Sequence, residues 1–238
     1  MKHYFLSPSV HWCVFNDRCI VLDINSDRYL QMPTEQLHSV LPFVSRDTRC
    51  AFEFGANEMP AELCEVADEL LAAHVLTTIR PRTARIQAPS LPKPTALLSV
   101  TTRDRPPKGL LRMLPHFLLS CATADYYLRH TSLRRMCTRV SQRRQIRAQR
   151  DRTGSIEQGI AFTRIFNALR PLYPRNYLCL FDSLALVEFL ALRNSFPNWV
   201  FGVTIDPFKA HCWVQDGPIV LSDTVSFSSR WFSPILVL

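Results

Sequence analysis

The chain has 238 residues, with 28 basic against 20 acidic side chains for a net charge of +8, and 47% of it is hydrophobic. That balance excludes a mainly disordered polypeptide, and the length suits one large domain or two small ones. The opening segment has no apolar run long enough for a secretory signal, and the most apolar window, 110–128, is broken by Arg112, Pro115 and His116. A cytoplasmic protein without a membrane span is therefore expected.

The first elements read as strands. His11 to Phe15 and Cys19 to Ile24 are apolar runs separated by Asn16-Asp17-Arg18, a hairpin turn by composition. A second turn, Asn25-Ser26-Asp27, leads into a third strand from Arg28 to Met32. Pro33-Thr34-Glu35 opens a helix with Leu37, Val40 and Leu41 on one face, and Pro60 starts another. In that second helix Leu63, Val66, Ala67, Leu70, Leu71 and Val75 keep the 3.6-residue period. Three strands followed by helices make a small winged-helix-like module over residues 1–80.

The strand order, the turn and strand at 25–29 and the helix from Leu63 to Leu76 resemble the PqqD-like leader-recognition domain of pathways that modify ribosomally made peptides. The resemblance implies that a leader peptide adds as an extra strand beside the third strand and packs on the last helix. Exposed edge strands accept peptides this way, through backbone hydrogen bonds and neighbouring side-chain pockets. The implied docking edge is Tyr29, Leu30, Gln31 and Met32, with Leu63, Val66, Ala67 and Leu70 flooring the groove. The alternative is that these side chains only pack the module's own core.

Six of the 17 prolines fall between Pro81 and Pro107, in a stretch with no aromatic residue, cysteine or histidine. It reads as a semi-rigid extended linker over residues 81–108. The second domain, 109–238, begins with helical apolar sequence from Gly109 to Leu128. Next, Arg134 to Arg152 holds eight arginines against one aspartate, a local +7 that leaves the remaining chain near neutral. On a helix Arg135, Arg139, Arg143, Arg147 and Arg150 share one face. A solvated face is preferred to a nucleic-acid surface, because charge runs usually face water and no aromatics are interleaved for base stacking.

Eight cysteines, at positions 13, 19, 50, 64, 121, 137, 179 and 212, include no Cys-x-x-Cys pair and no Cys/His cluster at zinc spacing. Neither a disulfide framework nor a metal site is expected, and no cofactor is called for. Cys179 differs from the others. Pro174-Arg175-Asn176 reads as a turn, and Leu180, Leu184, Val187 and Ala191 then mark a buried helix stripe. Cys179 thus falls in the first turn, where free N–H groups and the helix dipole favour a thiolate and can help form an oxyanion hole. Asp182 is expected to stabilise the same helix start.

Of seven histidines, only His211 lies beyond position 130, in the alternating strand from Phe208 to Val214. Asp216-Gly217-Pro218 makes a turn, and the chain returns through Ile219 to Asp223. With the turn centred on Gly217, positions summing to 434 oppose, so His211 faces Asp223 on one side of the sheet. Asp206, before a proline, and Asp216, in the turn, are rival carboxylates. Cys179, His211 and Asp223 supply the logic of an activated thiol: nucleophile, proton shuttle and orienting carboxylate.

The segments Leu178 to Leu184, Ile205 to Val214 and Leu221 to Asp223 resemble the lasso-peptide maturation protease, the "B" protein, over about residues 96–238. The resemblance implies an α+β chain that fuses a winged-helix-like PqqD-type domain to a transglutaminase-like, papain-like cysteine-peptidase domain. It also implies a precursor peptide bound by its leader, and hand-over to an ATP-using, asparagine-synthetase-like lasso cyclase. The residue after the histidine, often alanine in that family, is here Cys212, which strand alternation points away from the His211 face as a packing residue. Two other functions stay open: a transglutaminase-type acyl transferase, and a non-enzymatic winged-helix protein binding nucleic acid or peptide.

Overall fold

The computed structural model describes residues 3–44, 59–81, 91–98, 109–148, 155–222 and 231–238. The chain is mixed α+β and divides into two units, residues 1–87 and 88–238. Among the described residues no helix is long and apolar enough to cross a membrane.

In the first unit a short strand β1 (Phe5–Leu6) is followed by β2 (Val10–Phe15), β3 (Arg18–Asp23) and β4 (Arg28–Pro33). Asn16 and Asp27 take positive φ at the two turns, the left-handed backbone that asparagine and aspartate tolerate best after glycine. The three strands form an antiparallel meander in the order β2-β3-β4, which leaves β4 at an edge. Helices α1 (Thr34–Val40) and α2 (Ala61–Ala72) follow, and β5 (Leu76–Thr77) returns to pair with β1. One apolar cluster joins sheet and helices through Cys19, Val21, Met32, Leu37, Val40, Ala67 and Leu70.

The second unit starts earlier than a linker reading of 81–108 allows. Within that stretch β6 (Ala96–Leu97) pairs in parallel with a later strand, and Gln215 Nε2 donates to the Pro92 carbonyl at 2.8 Å. An extended proline-rich chain is well suited to lie along a sheet edge, since few of its own N–H groups need partners. The remainder of the stretch, 82–90 and 99–108, lies outside the described residues.

Three helices come next: α3 (Leu110–His130), α4 (Leu133–Ala148) and α5 (Ile156–Leu169). Gly109 caps α3 at φ +81°, and the Ser155 hydroxyl caps α5 by accepting from Gln158 N–H. Helix α6 (Cys179–Ala191) packs between α3 and α5 on one side and the sheet on the other. It is consequently buried all round, with Phe181 and every residue from Ser183 to Leu190 in the core, so the single stripe expected from its periodicity is too narrow.

Strands β7 (Asn198–Thr204), β8 (Lys209–Asp216), β9 (Ile219–Val220) and β10 (Ser233–Val237) complete a five-stranded sheet ordered β10-β7-β8-β9-β6. All its pairings except β6 with β9 are antiparallel, and β8 is its middle strand.

The arginine face of α4 is tied to the unit and is not simply solvated. Arg143 forms an ion pair with buried Glu188 of α6, with Arg139 at 3.9 Å from the same carboxylate. Arg144 donates to the Asn198 side chain and, at 3.0 Å, to the Leu238 carbonyl. A buried carboxylate on an apolar helix needs cations, and α4 supplies them. The Arg147 side chain and Arg150 lie outside the described residues.

Candidate active site

Cys179 is the first residue of α6. The chain reaches it through a 3-10 turn at Arg170–Leu172 and a loop that Arg170 organises from beneath. The Arg170 side chain is buried, at 3% exposure. Its guanidinium donates to the Tyr173, Arg175 and Asn176 carbonyls at 3.1, 3.0 and 3.2 Å and pairs with the Asp182 carboxylate. It also lies over the Tyr177 ring, 4.4 Å from the centroid. Asp182 in turn accepts from Leu178 N–H at 2.8 Å, tying down an N–H just ahead of the helix, as its place in the first turn suggests. Burial raises the Asp182 carboxyl above its ordinary range, and Arg170 works against that rise.

Among the seven described cysteines, Cys179 alone is exposed. Its sulfur is hydrogen-bonded by the Cys212 side chain, the His211 side chain and the Cys212 N–H, and these contacts bring its pKa down to about 4. Burial pushes Cys13 and Cys121 up to about 12 and Cys19 up to about 11, which holds those thiols protonated and unreactive. Among the described residues, Cys179 is thus the one thiol whose pKa is brought down, at a helix N-terminus and against an imidazole.

His211 lies on β8 directly opposite Gly202 of β7. Its ring packs on Trp213, 6.0 Å between centroids and 21° apart in plane, and on Phe232 at 5.1 Å. A Cβ at position 202 would come within 2.6 Å of the Trp213 ring and 3.0 Å of Phe232, so only glycine admits the two aromatics that seat the imidazole.

The β8–β9 ladder pairs Gln215 with Val220 and Asp216 with Ile219, positions that sum to 435. This corrects the expected 434. Asp216 belongs to the strand, and a two-residue Gly217-Pro218 turn closes the hairpin, with Gly217 at φ +53°. Over 215–220 the ladder is thus offset by one position from the register expected to oppose His211 and Asp223. Pairing within β9 ends at Val220, and Asp223 lies outside the described residues. Of its rivals, Asp216 sits five residues along β8 from His211, about 16 Å at strand rise. It lies beside Arg144 at the other end of the sheet, its carboxyl raised by burial and lowered in part by that arginine. Asp206 is exposed in the β7–β8 connection.

Cys212 was expected to be a bystander, yet it touches the Cys179 sulfur. Alternation does put it on the face opposite His211, but α6 packs on that face. The Ser183 hydroxyl of α6 lies 3.4 Å from the Cys212 sulfur and accepts from Trp199 Nε1 at 2.9 Å. Burial, and then the contact with Cys179, raise the Cys212 thiol well above its ordinary value, so it stays protonated. Sequence reasoning missed Cys212, Ser183 and Trp199 because they meet only where α6 packs on the sheet, Gly202 because its close neighbours are Trp213 and Phe232, and Arg170 because its partners are backbone carbonyls of the loop ahead of Cys179. A cysteine beside the single late histidine was the available signal.

Several large apolar side chains stand in water around this end of the unit. Tyr177 and Leu178, immediately before Cys179, are 67% and 54% exposed. Phe208 lies in the β7–β8 connection and Trp231 just ahead of β10, both exposed, at the end of the sheet where Thr204 pairs with Lys209 and Ser233 with Val203. Among the described residues no group of three His, Cys, Asp or Glu could hold a metal ion.

In the first unit, the expected docking residues fall into two sets. Tyr29 and Leu30 on β4 and Leu63 and Val66 on α2 are half-buried, and Gln31 is exposed. Met32 on β4 and Ala67 and Leu70 on α2 are buried together in the unit's own core, where the inner face of the helix meets the sheet.

A thiolate at a helix start with an imidazole from the facing sheet defines a thiol enzyme of the acyl-transfer kind. The chain belongs to the Transglutaminase-like superfamily, whose family model matches residues 119–237, a span that includes α6 and the whole of β7 and β8. That membership supports a cysteine-protease or acyltransferase type of activity. No curated protein matches the chain, and no solved structure does.

Proposed function

We propose that the chain is a leader peptidase of lasso-peptide biosynthesis, acting in the cytoplasm. The observation that carries the reading is Cys179, an exposed residue whose sulfur is held by His211 and Cys212 with its pKa brought down to about 4. The thiolate attacks the carbonyl at the junction of leader and core. His211 gives a proton to the departing amine, which leaves as the free amino terminus of the core. Water, deprotonated by His211, then hydrolyses the thioester and releases the leader. Asp223 is the carboxylate assigned to orient His211, with Asp223→Asn as its test: a fall in kcat without loss of fold.

The first unit has the role of a PqqD-like leader-recognition domain, taking the leader as a further strand along Tyr29–Met32 of the edge strand β4. Tethering raises the local concentration of the scissile bond, so the peptidase unit needs little affinity of its own. Exposed Tyr177, Leu178, Phe208 and Trp231 offer apolar surface for the chain on either side of that bond. An ATP-using, asparagine-synthetase-like cyclase is the partner that closes the ring from the new amine.

Mass spectrometry of a precursor incubated with the enzyme tests this reading. Two fragments whose masses sum to the precursor plus one water are expected, with Cys179→Ala binding the precursor but leaving it intact. Family membership equally favours transfer of the acyl group to an amine. A cross-linked or deamidated precursor with no cleavage would replace the peptidase reading with that one.

A further inference from the structure

Behind Cys179 and Cys212 runs a buried polar chain whose inner members, Ser183 and Trp199, the peptidase reading does not use. Trp199 Nε1 donates to the Ser183 hydroxyl at 2.9 Å, Ser183 Oγ lies 3.4 Å from Cys212 Sγ, and the Cys212 thiol contacts the Cys179 sulfur. Trp199, Ser183 and Cys212 are at most 4% exposed, so water is a poor competitor for these contacts.

An indole N–H can only donate, and that fixes the polarity of the chain. Ser183 accepts from Trp199, which leaves its own proton to point onward, to Cys212 Sγ or to the Leu180 carbonyl, each at 3.4 Å. Buried and protonated, Cys212 carries an S–H with the Cys179 sulfur as its neighbour. An anionic sulfur accepts such a bond better than a neutral one does.

We propose that Cys212 is a positioning residue for the nucleophile: its thiol, aligned by Trp199 and Ser183, donates to Cys179 and holds it as a thiolate together with His211. This rests on the reading of Cys179 as the nucleophile. It also divides the work on β8, because a neutral donor supports the thiolate even when His211 is unprotonated. Among the described residues, the titratable groups at the Cys179 sulfur are His211 and Cys212 from β8 and Asp182 from α6. The Asp182 carboxylate opposes the thiolate, and Arg170 offsets it.

The test needs no substrate. Alkylation of Cys179 in the full chain by iodoacetamide is followed from pH 3 to 10, with the modified peptide identified by mass spectrometry. The wild-type midpoint is expected far below that of an ordinary thiol. Cys212→Ala should raise it by about one unit, so that between the two midpoints the variant reacts about tenfold more slowly. Cys212→Ser, which keeps a donor, should restore most of the shift. Trp199→Phe should move the midpoint the same way by less. A folded Cys212→Ala variant with the wild-type midpoint would overturn the inference and leave the nucleophile standing. A wild-type midpoint near the ordinary thiol value of 9.0 would remove both.

Discussion

Replacing Arg170 by methionine keeps the stem in place and removes the guanidinium donors that hold the loop before Cys179. In the folded protein the guanidinium satisfies three carbonyls and one carboxylate while itself only 3% exposed. Breaking a buried ion pair from one side costs about 3–5 kcal/mol, chiefly because the remaining charge is left without a partner. The Asp182 side chain is 23% exposed and the loop carbonyls can turn to water, which places the expected loss at the low end, about 3 kcal/mol. With an m-value of about 2 kcal/mol/M, the urea midpoint should fall by about 1.5 M at pH 7.5. Near-UV circular dichroism suits the measurement, since Trp199, Trp213 and Trp231, three of the four tryptophans, lie in the second unit.

The pH dependence supplies the sharper check. Burial raises the Asp182 pKa in the folded state, so folding favours its neutral form, and stability falls as pH rises through that folded value. Without Arg170 to lower it, the folded pKa rises further and the loss extends to higher pH. The difference between wild type and Arg170→Met should therefore widen from pH 5 to pH 7.5. A variant within about 0.5 kcal/mol of wild type at pH 7.5, the scale of an ordinary surface substitution, would refute the reasoning. A loss equal at both pH values would refute it too.

Gly202→Ala should press on Trp213 and Phe232, tilt the His211 ring and lower kcat at least tenfold while KM changes little; equal activity would show that the aromatics yield. Glu188→Ala removes the carboxylate between Arg139 and Arg143 and should cost about 2 kcal/mol in urea unfolding. Because Glu188 stands nine residues from Cys179 along α6, about 13 Å of helix, the alkylation midpoint of Cys179 should not move. On adding precursor, the amides of Arg28–Pro33 should gain hydrogen-exchange protection, and an unchanged pattern would remove the edge-docking assignment.

The sequence reveals the elements whose signals are local. Three strands around Asn16 and Asp27 are legible because short apolar runs are bounded there by turn residues, and Cys179 at a helix start is legible from the Pro174-Arg175-Asn176 turn before it. Strand β7 carries no such mark: Trp199 to Val203 is buried without alternation, a run that suits a helix as well as a strand. The arginine face of α4 read as solvated because its counter-charge, Glu188, stands 45 residues away from Arg143. The one-position error in the hairpin arose at Asp216, whose composition says turn while its backbone completes β8. Cys212 shows the same limit: alternation assigned its direction correctly, but only the packing of α6 shows what waits on that side.

Helix α6 is enclosed along eight consecutive residues, Ser183 to Leu190, and β8 has two strands on either side of it. Segments so enclosed exchange their amide hydrogens only when the whole cooperative unit opens. The thiol and the imidazole are thus rooted in the slowest-exchanging part of the second unit, while Tyr177, Phe208 and Trp231 belong to its faster surface. Heat inactivation should accordingly track global unfolding without an earlier phase, and any adjustment of the surface around Cys179 falls to the exposed side chains, with the thiol and the imidazole kept still.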